Sequence, residues 1–418
     1  MLQTVHVVRV PLLALAVTLL TQGCATTGKD WPQWGGPDRN FKVFAPALAD
    51  QWPEEGPPKV WEREFGKGYS AITVANNTLV TMHRNEAGDE DVVAALDPAD
   101  GSTKWEHRYA APVYEGQDLR FGKGPNASPL IANGKVYTIG FTGIMHCLDL
   151  ATGNVVWMHD LTKEYNAKVH DFGYSISPMM YDGKIITAVG GDMYGLIAFN
   201  ATNGTPMWMG DAMDVSYASP VVINVDGQDQ FVVMSSDEVI GVSTEGKKLW
   251  SHPCVNQYKN NATDPLWFEG NLLWAATQLD GGTRCIRLTR SGEETQVEEV
   301  WTNDKIKIFH WNAIPIGNHV YASIGSNTTF FSAINAETGE IKWQARGYHK
   351  ANSIYADGKI IFLDENGKLV MARVTPESFE KLAETQLTEK ASWTVPTLVG
   401  DTLFVRDNAK IMALDLGA

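Results

Sequence analysis

Cysteine is scarce in this chain, with four residues among 418. Once Cys24 near the start is set aside, Cys147, Cys254 and Cys285 remain. An odd number of cysteines does not build a disulfide framework. We therefore expect three buried free thiols, and a bond between Cys254 and Cys285 is the alternative.

The chain also lacks a concentrated run of lysine and arginine. It carries 34 Lys and Arg against 49 Asp and Glu, a formal net charge of −15. A protein that binds nucleic-acid phosphates needs a basic patch. The composition therefore excludes nucleic acid as an expected partner.

Common catalytic signatures are lacking as well. The ten histidines are scattered without the spacing of zinc ligands, and neither a Gly-x-Ser-x-Gly elbow nor a phosphate-binding loop occurs. We therefore predict no metal site and assign no catalytic residue from motifs.

A short apolar run stands at the start of the chain, PLLALAVTLL from Pro11 to Leu20. It is too short to span a bilayer, and its position predicts an exported protein with a signal segment over residues 1–23. The cysteine behind it resembles the lipidation site of bacterial lipoproteins. That resemblance implies that Cys24 carries a lipid, and that the protein is sorted to the outer membrane because Ala25 follows. The alternative is an ordinary cleaved signal with an incidental cysteine.

Tryptophan is abundant, and half of the 14 tryptophans close similar phrases that recur about every 47 residues, a period typical of propellers and solenoids. We predict that each lies on an outermost strand and wedges between neighbouring blades. Stacking of a carbohydrate or cofactor is the alternative role. These residues are Trp61, Trp105, Trp157, Trp208, Trp250, Trp301 and Trp343.

The repeated phrase predicts a four-stranded antiparallel blade. Its clearest copy, Ala127 to Trp157, contains alternating strands separated by an Asn-Gly turn and an Asp-x-x-Thr-Gly turn. The first hairpin turn occurs eight times, and the last copy stops after three strands. The segment PPKVWEREF, Pro57 to Phe65, supplies the missing strand. We therefore predict an all-β, eight-bladed β-propeller over residues 57–418, closed by pairing an N-terminal strand with the last blade.

These repeats carry a resemblance to a known family. Tandem Gly-x-Val-Tyr and Leu-Asp-x-x-Thr-Gly-x-x-x-Trp units resemble the pyrroloquinoline quinone (PQQ) type propeller repeat. The opening WPQWGGPDRN, followed by WPEEGPPKVW and GKGYSAI, is similar to that of PQQ-like propeller lipoproteins of Planctomycetes-type bacteria. Those proteins are described as similar to BamB, a lipoprotein subunit of the outer-membrane β-barrel assembly machine.

Residues 24–56 form a tether and a tryptophan-rich arm in this interpretation. Gly and Pro force an irregular path, and Trp31, Trp34 and Trp52 precede the closing strand. We predict a lid-like arm whose aromatic rings dock on the propeller and orient it relative to the lipid. A disordered linker is the alternative.

The propeller topology also predicts where a ligand site would lie. The innermost strand of each blade lines the axis, so residues that precede these strands surround the channel mouth. A functional interpretation makes them a ligand or metal pocket, and the alternative that we favour is polar plugging of a solvated axis. The candidates are Lys67, Tyr69, Asn126, Asp171, Tyr174, Tyr217, Asp264, His310, Trp311, Asn312, His349, Lys350, Asn352 and Trp393.

The resemblance also suggests which functions to compare with this sequence. Quinone dehydrogenases of this fold hold PQQ at the axis above a tryptophan, with Ca²⁺ bound by carboxylate and amide groups and an aspartate base. This chain shows no matching set and no adjacent cysteines. We therefore expect a non-catalytic, monomeric scaffold lipoprotein on the periplasmic side of the outer membrane, which binds periplasmic or outer-membrane proteins. The alternatives are a PQQ- and Ca²⁺-dependent dehydrogenase and a carbohydrate- or small-ligand-binding propeller.

Overall fold

The computed structural model describes residues 30–389 and 391–417, so the signal segment and the predicted lipidation site Cys24 lie outside the described residues. The regular secondary structure of the described chain is almost entirely β-strand. Eight separate sheets each contain four antiparallel strands. The prediction of an all-β propeller with eight four-stranded blades is confirmed.

A lone strand, β1 (Lys59–Glu64), precedes the first complete blade. The first four blades follow in chain order. Their strands are β2 (Thr73–Ala75), β3 (Thr78–Arg84), β4 (Glu90–Leu96) and β5 (Thr103–Ala110); β6 (Leu130–Ala132), β7 (Lys135–Ile139), β8 (Ile144–Asp149) and β9 (Val155–Asp160); β10 (Met179–Tyr181), β11 (Lys184–Ala188), β12 (Leu196–Asn200) and β13 (Pro206–Met209); and β14 (Val221–Val225), β15 (Gln228–Met234), β16 (Glu238–Ser243) and β17 (Lys248–Pro253). A short helix, α1 (Leu161–Tyr165), lies between the second and third blades.

The last four blades repeat the same order. Their strands are β18 (Leu266–Phe268), β19 (Leu272–Ala276), β20 (Thr283–Ser291) and β21 (Glu294–Asn303); β22 (Ile314–Ile316), β23 (His319–Gly325), β24 (Thr329–Asn335) and β25 (Ile341–Ala345); β26 (Asn352–Ala356), β27 (Lys359–Leu363), β28 (Lys368–Val374) and β29 (Phe379–Gln386); and β30 (Thr397–Val399), β31 (Thr402–Arg406) and β32 (Lys410–Asp415).

The ring closes through the N-terminal strand. The eighth sheet has the order β1-β32-β31-β30, and β1 pairs antiparallel with β32, for example Glu62 with Met412. This pairing supplies the fourth strand of the last blade and covers the edge of β32. The predicted closure is confirmed.

The first hairpin turn of each blade contains Asn, Asp or Gly because its backbone adopts positive φ values. Asn133 and Gly134 both have positive φ values, 51° and 70°, as a two-residue hairpin turn of this hand requires. We call the side of the ring with these turns the hairpin face, and the opposite side, where one blade connects to the next, the connection face.

The recurring tryptophans join neighbouring blades. Trp105 on β5 donates its indole N–H to the carbonyl of Leu150 across 2.9 Å, in the Asp-x-x-Thr-Gly turn of the next blade. The ring packs on Gly153 of that turn, where an added Cβ would lie 2.6 Å from the indole. Trp61 and Trp157 contact the next blade in the same way. Glycine is therefore needed in these turns for its positive φ and for the close approach of the ring.

Trp250 departs from this pattern. Its indole N–H donates to the side chain of Gln230 in its own blade, at 2.7 Å. The next blade has no Asp-x-x-Thr-Gly turn, because β20 and β21 are joined directly by Gly292 and Glu293. The last of the described blade tryptophans, Trp343, donates to the carbonyl of Thr375 across 2.9 Å.

The hydrophobic core lies between the blades and has no disulfide among the described residues. Cys147, Cys254 and Cys285 are buried free thiols. The expected free thiols are therefore observed, and the alternative bond between Cys254 and Cys285 is absent. In the part of the chain that the structure covers, no helix combines the length and the apolar character that crossing a membrane requires.

Candidate functional site at the propeller axis

The propeller axis is occupied by the chain's own N-terminal arm, residues 30–56. Trp31 forms a bridge with Val74 on β2, with N–O distances of 2.7 and 2.8 Å, and the carbonyl of Pro32 accepts a hydrogen bond from Ile131 on β6 at 2.7 Å. β2 and β6 are innermost strands, so the arm enters the channel between the first two blades.

The arm then reaches the seventh blade and leaves over the hairpin face. The backbone N–H of Tyr355 on β26 donates to the carbonyl of Phe41, and the backbone carbonyl of Tyr355 accepts from the N–H of Val43. Leu48 N–H donates to the carboxylate of Asp357, in the first hairpin turn of the seventh blade, at 2.9 Å. The arm is thus packed on the propeller, with Trp31 only 2% exposed.

Trp34 projects into the channel and meets Asp264 before β18. Its indole N–H donates to the Asp264 carboxylate across 2.6 Å, and the backbone N–H of Ser219 donates to the other oxygen at 2.8 Å. Burial raises the pKa of Asp264 to about 6, and the positive charge of Arg39 opposes that rise. The Arg39 guanidinium also donates to the carbonyl of Pro220 at 3.1 Å.

Aromatic rings cover the connection face of the axis around Trp393. The centroid of the Trp393 ring lies 5.0 Å from that of Tyr69, 4.8 Å from His310 and 5.4 Å from Phe121. The ring centroid of Phe121 also lies 5.6 Å from that of Phe172. We call Tyr69, Phe121, Phe172, His310 and Trp393 the mouth cluster. Burial, with a smaller contribution from Lys350, lowers the pKa of His310 to about 3, so this imidazole is neutral.

Polar neighbours hold the mouth cluster in place. Glu365 accepts from the indole N–H of Trp393 at 3.2 Å and from the ammonium group of Lys350 at 2.9 Å. Asn126 donates its side-chain N–H to the carbonyl of Phe172 at 2.9 Å. The backbone N–H of His349 donates to the Asp364 carboxylate at 3.3 Å.

The structure brings some predicted site residues together and separates others. Tyr69 and His310 both contact Trp393 in the mouth cluster. The ring centroid of Tyr217 lies 6.0 Å from that of Phe172, at the border of this cluster. Asp264 lies deeper, against the arm. Lys67 and Asp171 are exposed.

Four of the predicted mouth residues are buried, so the expectation that they present polar groups at the mouth needs correction. Tyr174 donates its hydroxyl to the carbonyl of Ala188 inside the blade core. The indole N–H of Trp311 donates to Ser323 at 2.5 Å, and Asn312 exchanges two hydrogen bonds with Ser353, each of 2.7 Å. Asn352 is 1% exposed at the start of β26. A residue that precedes an inner strand can turn its side chain between blades as well as toward the axis.

Sequence reasoning missed three contributors to the axis. Phe121 and Phe172 lie in long connections between blades, and Arg39 lies in the arm. The length of the segment between β5 and β6 is a signal that could have identified Phe121, because long connections can reach the axis. Nothing local in the sequence marks Arg39 as a partner of Asp264.

The residues at the axis do not fit PQQ with Ca²⁺. Sites for molecules of that size have volumes of about 300–1,000 Å³, whereas the cavity between Trp34, Asp264 and His310 measures about 20 Å³. Asp264, the carboxylate at this point, is already bonded to Trp34 and Ser219. Across residues 30–389 and 391–417, no group of three or more His, Cys, Asp or Glu side chains is placed to hold a metal ion.

The fold and the axis define a closed eight-bladed β-propeller whose channel is filled by its own arm and by an aromatic layer. The family model described as "Outer membrane protein assembly factor BamB" matches residues 88–378. The chain therefore belongs to this family of PQQ-repeat propellers.

Individual relatives are distant. The chain is 22% identical to the outer membrane protein assembly factor BamB of Shewanella oneidensis over 332 residues, which are 76% of this chain and 80% of the relative. Among solved structures, BamB from Moraxella catarrhalis matches with a TM-score of 0.59 and 12% identity, over 86% of this chain and 98% of that one. Quinohemoprotein alcohol dehydrogenase from Comamonas testosteroni matches with a TM-score of 0.63 and 12% identity, over 93% and 81%. At such identities the structural likeness shows the fold alone.

Proposed function

We propose that this protein is a non-catalytic scaffold of the cell envelope, which acts with periplasmic or outer-membrane proteins in the manner of outer membrane protein assembly factors. Membership of the BamB family supports this role. The likeness to alcohol dehydrogenases does not oppose it, because one fold hosts several functions.

The single observation that carries the proposal is the filled axis. The position where a propeller enzyme would hold its cofactor contains Trp34 and Phe41 of the arm, with Asp264 and His310 around them. Binding a cofactor there would require the arm to leave and its buried contacts to break. The outer surface of the ring carries exposed apolar side chains, which suits protein partners.

The outer surface offers apolar side chains for such contacts. Met158 on β9 and Met207 and Met209 on β13 are exposed on neighbouring blades. Methionine is a flexible apolar side chain that adapts to varied partners. β9 and β13 each stand last in the strand order of their sheets, so a partner strand could pair with them.

We further propose that residues 1–23 are a signal segment and that Cys24 is lipidated, which places the protein on the periplasmic side of the outer membrane as a monomer. Cys24→Ser should abolish incorporation of labelled palmitate and release the protein from the membrane fraction. The matched control is Cys147→Ala, which replaces a buried thiol inside the propeller. Membrane association of Cys24→Ser equal to that of the wild type would contradict the anchor.

The scaffold role is tested in a host strain that lacks the gene. We expect lower amounts of folded, heat-modifiable outer-membrane β-barrel proteins, restored by the wild-type chain. A photo-crosslinking residue at Met207 should capture a component of the assembly machinery, and one at Met193, which is exposed in the segment between β11 and β12, serves as the control. Unchanged barrel amounts in the deletion strain would contradict the proposed function.

A further inference from the structure

The N-terminal arm enters the channel from the hairpin face. Trp31 bridges Val74 in antiparallel orientation, and β2 runs toward its first hairpin turn at Asn76 and Asn77. The arm therefore moves away from the hairpin face as it passes Trp31. It follows that the chain leading up to Asp30 comes from the hairpin face.

The arm also returns to the hairpin face at its other end. Lys42 bridges Tyr355 in parallel orientation, and β26 runs toward the hairpin turn at Asp357 and Gly358. The backbone N–H of Leu48 then donates to the Asp357 carboxylate of that turn at 2.9 Å. The arm is thus a U-shaped insert that enters and leaves the channel through one face.

Only a short stretch of chain separates the predicted lipid from this face. Cys24 and Asp30 are six positions apart, a distance that extended chain spans with at most about 22 Å. A route from the axis around a blade to the connection face would cross four strands, about 14 Å, and then follow them for about 20 Å. The direct route through the channel is filled by the arm. A lipid on Cys24 would therefore hold the hairpin face, and not the connection face, near the membrane.

The arm presents an uncharged apolar loop on the hairpin face, residues 43–49, which we call the arm loop. Phe44 is 76% exposed, the largest value among the large hydrophobic side chains of the described chain. Pro46 and Ala47 are exposed beside it, while Ala45 and Leu48 are buried and fix the loop on the propeller. A fixed apolar surface that faces solvent marks a site of contact with a protein or a membrane.

The charged groups beside the arm loop are paired. Asp50, which follows the loop, lies 2.6 Å from the Arg373 guanidinium and 3.3 Å from the Lys359 ammonium group. The Asp357 carboxylate lies 2.5 Å from the same ammonium group. Pairing lowers the cost of bringing these charges toward an apolar surface. Because the chain has a net charge of −15, anionic lipids do not attract it as a whole.

We propose that the hairpin face lies against the lipid surface, with Phe44 in contact with the headgroup region, and that the connection face with its mouth cluster points into the periplasm. This orientation depends on the lipid anchor of the proposed function. A tether that leaves the ring near its axis holds the centre of the hairpin face closest to the membrane. An aromatic ring exposed there gains apolar contact with lipid. One such ring binds weakly by itself, so it orients the anchored protein and does not recruit it.

Fluorescence quenching in vesicles tests the orientation. The full chain is purified from membranes of cells fed labelled palmitate and is reconstituted into vesicles of phosphatidylethanolamine and phosphatidylglycerol. A thiol-reactive bimane dye is attached at Ala47→Cys in the arm loop, because the native thiols of the propeller are buried. The matched control is Tyr258→Cys, at a residue that is 64% exposed in the connection between β17 and β18. With nitroxide on the lipid headgroups, we expect a loss of fluorescence at position 47 and none at position 258.

A second variant isolates the contribution of Phe44. Phe44→Glu in the Ala47→Cys background places a charge where the ring would contact lipid, so the loss of fluorescence at position 47 should be smaller. The protein should still float with the vesicles, because the lipid on Cys24 holds it. Thermal melts establish that the variants are folded, as expected for exposed positions.

Three results would overturn this inference. In palmitate-labelled protein, a loss at position 258 that equals or exceeds the loss at position 47, or no loss at either position, would contradict the orientation and leave the anchor intact. A loss at position 47 that Phe44→Glu does not change would contradict the contact of Phe44 with lipid. Protein that incorporates no palmitate would contradict the anchor and the orientation together, so the label distinguishes the two failures.

Discussion

The indole N–H of Trp34 donates to the carboxylate of Asp264 across 2.6 Å, although 230 positions separate the two residues in the chain. This bond joins the N-terminal arm to the loop before the fifth blade. It places a large aromatic ring and a buried carboxylate in the channel at the propeller axis. The arm is therefore part of the propeller's interior.

Removing this bond should destabilise the fold. Trp34→Phe keeps an aromatic ring but deletes the N–H, and a hydrogen bond to a charged group contributes about 1.5–3 kcal/mol. We expect a loss of that size in the free energy of unfolding, measured by urea denaturation. Trp52→Phe is the matched control, because the buried indole nitrogen of Trp52 has no partner within the described chain. Equal losses for the two variants would contradict a specific role for the bond.

Replacing Arg39 should make stability more sensitive to high pH. The pKa of Asp264 is about 6 in the folded protein, above its unfolded value, so its ionisation opposes folding as the pH rises, and Arg39 limits this effect. In Arg39→Met the folded pKa should rise further. The variant should then lose about 1.4 kcal/mol relative to wild type per pH unit between the two folded pKa values.

The measurement for Arg39→Met is the free energy of unfolding from pH 5 to pH 8. Arg373→Met is the control, because Arg373 pairs with the exposed carboxylate of Asp50 on the same arm. A deficit in Arg39→Met that stays constant across this range would show that Asp264 is not the group involved.

A glycine comparison tests the contact between blades. Gly153 and Gly134 have similar φ values, 72° and 70°, but an added Cβ meets Trp105 at 2.6 Å in the first case and no atom within 4 Å in the second. Gly134→Ala should cost about 1–2 kcal/mol for the left-handed backbone alone. Gly153→Ala should cost about 1–3 kcal/mol more, because the indole must move. Urea denaturation measures both, and equal costs would argue against tight packing of Trp105.

Acid should destabilise the protein through His310. Its pKa is lowered to about 3 by burial, so the unfolded state binds a proton near pH 6.5 that the folded state does not. Stability therefore falls as the pH drops from about 6.5 toward 3. In His310→Gln the slope should be shallower by up to about 1.4 kcal/mol per pH unit. His146, whose pKa is also lowered to about 3, provides a second variant with the same expectation. The measurement is the free energy of unfolding from pH 7 to pH 4. A pH dependence as steep in both variants as in the wild type would contradict this prediction.

The sequence predicted the ring better than its interior, and the reason is physical. Blade number, turns and closure follow from local patterns, such as Asn133-Gly134, that repeat along the chain. The axis is built from contacts between distant segments, such as Trp34 with Asp264, which no local pattern marks. Tyr69, His310 and Trp393 were found because topology places them at the mouth. Tyr174 was misplaced because topology does not say which way a side chain turns.

The measurement that tests the central claim most directly is a thermal-shift titration of the purified protein with PQQ and Ca²⁺, separately and together. A ligand that binds only the folded state must raise its melting temperature. If Trp34 and Asp264 fill the axis as described, PQQ with Ca²⁺ will give no rise beyond that of Ca²⁺ alone. A saturable rise in melting temperature that requires both PQQ and Ca²⁺ would contradict the account, because it would mean that the arm leaves the axis when the cofactor binds.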